Sequence, residues 1–183
     1  AAEGKAFCAG HDLKQMKASP RLDYYQALFA QCSRMMLAIL KLPVPVIARV
    51  QGMATAAGCQ LVAQCDLAVA ADSARFGVNG IDVGLFCSTP SVPLVRNIPA
   101  KQAMEMLLTG GFISADEAQA RGLVNRVVPA EQPDDAVEAL VGAILAKPRE
   151  AIAAGKALFY RQRELGIEAA YQLASQTMAC NMM

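Results

Sequence analysis

The segment from Val46 to Asp66 constrains this chain more than any other. Val46-Ile47-Ala48-Arg49-Val50 is short and rich in β-branched residues, the composition of a buried strand. It runs into Gln51-Gly52-Met53-Ala54-Thr55-Ala56-Ala57-Gly58, a tight turn with almost no side-chain bulk. Ala57 to Gln64 then reads as a helix of small residues. The first N–H groups of a helix have no intrahelical partner and sit at its positive dipole end. A strand, a small-residue turn and a helix start therefore make a corner that backbone donors can line and an anionic oxygen can approach. Close helix–strand packing asks for the same small residues, so this segment alone supports both readings.

The surrounding pattern is α/β. Apolar residues recur at helical spacing from Tyr24 to Leu42, and Pro43 and Pro45 stop that helix. His11 to Met16 begins a short helix that ends at Ser19-Pro20. Leu67–Ala71 and Ala74–Gly77 read as further strands. Ile98–Thr109 reads as a helix closed by Gly110-Gly111, and Ser114-Ala115-Asp116-Glu117 as a capping box for a helix ending at Gly122. Leu123–Val128 reads as another strand. Residues 1–10 read as a small-residue loop, after what looks like the end of a strand. Residues 130–183 read as helical, with breaks near Pro148 and Gly166. Strands alternating with helices imply parallel pairing. The division expected is a core over 1–130 and a helical C-terminal region over 131–183.

Composition narrows the function classes. The chain is 55% apolar, but no uninterrupted apolar run reaches the ~18 residues of a membrane span. A net charge of +1 with scattered basic residues favours neither nucleic acid nor an acidic membrane surface. Six cysteines and one histidine contain no Cys-x-x-Cys pair, so no metal site is expected. The thiols read as reduced and partly buried. No signal or transit peptide is visible.

A second small-residue turn, Cys8-Ala9-Gly10-His11-Asp12-Leu13, also leads into a helix. It can supply another N–H. The His11 side chain reads either as a hydrogen-bonded bystander or as a functional group, and Asp12 as the cap of the short helix.

Together the two turns carry a resemblance. Lys5-Ala6-Phe7-Cys8-Ala9-Gly10-His11-Asp12-Leu13 is similar to K-x-F-x-A-G-x-D-[IL]. Gly52-x-Ala54-x-x-Ala57-Gly58-Cys59-x-Leu61-x-x-x-Cys65-Asp66 is similar to G-x-A-x-G-G-G-x-[E]-L-x-x-x-x-D. Phe76-Gly77, Val83-Gly84-Leu85 and the segment from Thr109 to Val128 continue the match. The chain resembles the crotonase, or enoyl-CoA hydratase, superfamily, with the domain-containing protein 3 type as its nearest subgroup. The resemblance implies a ClpP-like spiral of ββα units with a helical C-terminal trimerisation region. The opening strand–helix part of that fold is missing from this sequence.

It also implies a coenzyme A thioester as substrate or ligand, with no permanently bound cofactor. The thioester carbonyl would lie between the N–H groups of His11 and Ala57, with the coenzyme near Lys5, Ala9, Asp12, Leu13 and Gly58. Hydratases of this family use two glutamates, and the matching positions here are Gln60 and Gly80. A glutamine amide orients a water but does not take up a proton near pH 7. Ordinary hydration is therefore not expected. Asp82, Cys87 and His11 are the candidates to replace the missing acid–base groups. The alternatives are a non-catalytic acyl-CoA binder or partner subunit, and a thioester hydrolase using Cys87. The resemblance further implies a homotrimer or a hexamer of paired trimers, in a bacterial cytoplasm or a mitochondrion.

Overall fold

The computed structural model describes residues 1–182. Among them are two small sheets. One contains β1 (Ala6–Cys8), β3 (Met53–Thr55), β5 (Arg75–Gly77) and β6 (Ile113–Ser114), in that order. The other contains β2 (Ile47–Val50), β4 (Leu67–Ala71) and β7 (Arg126–Val128). All pairings are parallel except β5 with β6.

Parallel strands with hidden faces read as continuous apolar runs. Val69, Ala70 and Ala71 of β4 accordingly have no exposed surface. Their β2 and β7 neighbours, Val50 and Val127, extend the same apolar layer.

The helices are α1 (Leu13–Ala18), α2 (Leu22–Lys41), α3 (Ala57–Gln64), α4 (Ser88–Leu94), α5 (Ala100–Thr109), α6 (Ala115–Ala120), α7 (Pro133–Leu145), α8 (Arg149–Gln162) and α9 (Ile167–Asn181). α3 lies at the centre, packed on β1, β2, β3, α2 and α4. Its small residues permit this. A Cβ added at Gly58 would strike the Cys8 carbonyl oxygen, so β1 runs directly over the start of α3.

Several sequence expectations need revision. Ala6–Cys8, expected in a loop, is a strand paired with Met53–Thr55, itself expected in the turn. The turn after β2 is thus shorter than composition suggested, because β3 occupies part of it. Leu123–Val128 contains a strand only over its last three residues, and α5 begins after Pro99 rather than at Ile98. α4 and the 3-10 turn Asn79–Val83 were not anticipated. The capping box at Ser114 is present: its hydroxyl accepts from Glu117 N–H, and the Glu117 carboxylate accepts from Ser114 N–H.

A buried ion pair ties the C-terminal helices to the core. Lys156 Nζ of α8 donates to Asp66 Oδ2 at 2.6 Å and to the carbonyls of Ile39 and Val44. Tyr160 OH donates to the other oxygen of Asp66 at 2.8 Å. The Asp66 carboxylate also accepts from the N–H of Val46, the residue just before β2. Asp66 lies two residues past the end of α3, so one side chain links α3, β2 and α8.

Candidate active site

The two small-residue turns meet. Gly10 has φ +86°, and a Cβ there would lie 3.2 Å from both Ala57 N and the Ala56 methyl carbon. Only glycine fits such a backbone conformation without strain, and only glycine allows this approach. Across from it Ala56 has φ 50° and ψ −118°, the one positive-φ residue other than glycine among those described. An alanine held there costs about 1–3 kcal/mol. Ala56 N–H donates to Gly77 O at 2.9 Å, which anchors the strained residue to β5. Its strained turn aims the start of α3 at the Gly10–His11 turn.

The N–H groups of His11 and Ala57 donate to no other group among the described residues. Two cavities flank them. The larger, about 470 Å³, is walled by Cys8, Leu28, Cys32, Met35, Met36 and Leu61. The smaller, about 220 Å³, is walled by Phe29, Leu85, Phe86, Cys87, Ser88 and Pro90, among others. His11 and Ala57 are the only lining residues the two cavities share. The His11 ring stands edge-on to Phe29 of α2, with centroids 5.5 Å apart and planes at 80°. Burial pushes the imidazole's pKa below its ordinary value, favouring the neutral ring.

The other sequence candidates fall in varied places. Gln60 is 4% exposed, and its carboxamide oxygen is enclosed without a partner. It lies outside the linings of both cavities. Gly80 is closed off: a Cβ there would strike Leu85 O and come within 2.8 Å of Cys87 Sγ. The 85–87 loop thus fills the space a side chain at position 80 would need. Asp82 is exposed, its carboxylate lies against Gly110 at the end of α5, and it lines neither cavity.

Cys87 does line the smaller cavity, but its Sγ accepts from Gly80 N–H at 3.3 Å, and burial pushes its thiol up. That is the opposite of the lowered pKa a thiol nucleophile needs. Asp12 caps α1, its carboxylate accepting from Lys14 and Gln15 N–H. Lys5, Ala9 and Leu13 are exposed beside the first turn, whereas Gly58 is buried beneath β1. Composition hid Phe29, Phe86 and the Met35–Met36 wall. Leu28, Cys32, Met35 and Met36 showed only as an apolar helix stripe, which packs a core or walls a cavity equally well.

With the site in place, its kinship is decisive. The sequence model of the enoyl-CoA hydratase/isomerase family matches residues 1–182. The chain belongs to the enoyl-CoA hydratase/isomerase family. It is 49% identical over 181 residues to the rat mitochondrial enoyl-CoA hydratase domain-containing protein 3, covering 99% of this chain and 60% of that protein. The human counterpart's crystal structure superposes with a TM-score of 0.96 at 47% identity, covering 100% of this chain and 72% of that one. A Mycobacterium smegmatis enoyl-CoA hydratase structure gives 0.99 at 66% identity, covering 100% of this chain and 71% of that one. The crotonase fold expected from the sequence is the observed one. The chain spans about three fifths of the length of these curated relatives.

Proposed function

We propose that this family member binds a coenzyme A thioester with its carbonyl oxygen between the N–H groups of His11 and Ala57. There it stabilises the enolate or tetrahedral oxyanion formed from that carbonyl. The observation that carries the reading is the pair of unpartnered N–H groups at the junction of two cavities, with Ala56 strained to aim one of them. Each such donor is worth ~10²–10³ in rate, independent of any carboxylate. Lys5, Ala9, Asp12 and Leu13 are the proposed coenzyme contacts along the first turn. The apolar side chains Phe159, Ile167, Tyr171 and Met178, exposed on α8 and α9, support assembly as a homotrimer or paired trimers.

Ordinary hydration is disfavoured. Gln60 supplies an amide where a carboxylate is needed, and position 80 has neither a side chain nor room for one. General acid–base groups contribute ~10²–10⁴-fold each, so hydration at family rates is not expected. The closed Gly80 position favours, as a second reading, a binder or partner subunit without turnover. A hydrolase working through Cys87 loses support from its buried, raised-pKa thiol.

Titration calorimetry with crotonyl-CoA, followed by an absorbance assay of its hydration, tests the proposal. Binding with little or no hydration supports it. Absence of binding refutes the thioester reading, and hydration at rates typical of the family refutes the reading of positions 60 and 80.

A further inference from the structure

The carbon beside a thioester carbonyl becomes acidic when the carbonyl oxygen is held by two donors, but its proton still needs an acceptor. No carboxylate lines either cavity. The titratable side chains in the two walls are His11 and the thiols of Cys8, Cys32 and Cys87. Each thiol borders one cavity alone, Cys8 and Cys32 the larger and Cys87 the smaller. Burial pushes both Cys32 and Cys87 away from ionisation. Of these residues only His11 lines both cavities, which meet at His11 and Ala57. Neither ring nitrogen hydrogen-bonds to another group among the described residues, and Phe29 fixes the ring edge-on.

We propose that the His11 imidazole is the proton-transfer group of this site, acting on the carbon adjacent to the thioester carbonyl. The proposal rests on the thioester reading above. In the step, the C–H bond breaks and its proton passes to the unprotonated ring nitrogen, giving imidazolium. The C–H electron pair forms the carbon–carbon double bond of the enolate. The carbonyl π pair moves onto the oxygen held by the two N–H groups. Reversal returns a proton from imidazolium to carbon. No oxidant, metal or water enters the balance. His11 thus contributes twice from one residue, its N–H to the oxygen and its ring to the carbon.

The ring packs on Phe29, and the other side chains of the two walls are apolar groups, thiols and the uncharged polar Gln31, Ser88 and Thr89. Asp12, next in sequence, is exposed and turned to the α1 N–H groups. The pH response of the step therefore belongs to the imidazole itself. The neutral ring is the base, so exchange is lost as pH falls through its lowered pKa, below 6.5.

The experiment is proton exchange at the α-carbon of butyryl-CoA in deuterium oxide, followed by NMR, beside calorimetric binding of the same thioester. The variant His11→Gln keeps the backbone N–H and removes the base. Expected are exchange by the parent protein that falls at acid pH, and a loss of ~10²-fold or more in the variant with binding retained. Retained binding also shows that the variant is folded. Exchange undiminished in His11→Gln, or absent from a parent protein that binds butyryl-CoA, overturns the proposal and leaves the thioester reading standing. A parent protein that binds no butyryl-CoA overturns both.

Discussion

Gly80→Glu puts back the residue type that the family resemblance expects, and the structure says it should damage the protein rather than repair it. The added Cβ would strike Leu85 O and lie 2.8 Å from Cys87 Sγ, well short of the ordinary contact range of 3.4–4 Å. Leu85 is held by its own N–H donating to Gly80 O at 2.9 Å, and Cys87 by the Gly80 N–H at 3.3 Å. Relief therefore requires moving backbone and breaking one or both bonds. Overpacking costs about 1–3 kcal/mol, and each lost hydrogen bond about 0.5–1.5 kcal/mol. A net loss of about 2–4 kcal/mol corresponds to a melting temperature lower by about 4–16 °C in a chain of this size.

Thermal unfolding followed by circular dichroism reads the first effect, and crotonyl-CoA hydration the second. The same result is expected when Gln60→Glu is combined with Gly80→Glu, because the obstruction at position 80 is unchanged. A Gly80→Glu protein melting within about 2 °C of the parent and hydrating crotonyl-CoA would refute the reasoning. It would show that the 85–87 loop yields freely and that the site lacks only a carboxylate.

Two further outcomes follow from packing. Lys156→Met should cost about 3–5 kcal/mol in urea unfolding, because it strands the buried Asp66 carboxylate; adding Asp66→Asn should recover part of the loss. Ala56→Gly should raise stability by about 0.5–2 kcal/mol, the relieved backbone strain outweighing the entropy of glycine, and a loss of stability would show that the turn is unstrained.

The legible parts of the fold were those whose signals are local. Pro43 and Pro45 end α2, Ser114 and Glu117 cap α6, and β-branched residues mark β2. The strands β1 and β3 escaped because three residues carry no periodicity, and their pairing joins distant segments, Ala6 with Met53 and Cys8 with Ala54. The region from Val78 to Asn97 gave no period because a 3-10 turn and a short helix containing Pro90 and Pro93 occupy it.

At the site, the motif positions of His11 and Ala57 could be read from the sequence. The identity of Gln60 and Gly80 could be read too, but not their surroundings. Nothing local to position 80 tells that Leu85 and Cys87 close over it, and nothing near Asp66 announces Lys156, 90 residues later. The orientation of Asp82 depends on the end of α5, which lies beyond any motif.

Donors that belong to the main chain are written in conformation rather than in residue identity. His11 and Ala57 can each be exchanged for another residue and still present an N–H, provided Gly10 and the Ala56 turn keep their shape. A carboxylate has no such protection, since one codon removes it. Substitution of a side-chain acid therefore need not disturb a pair of main-chain donors. In the reading proposed for this chain, the residue that would supply one of those donors is also a histidine.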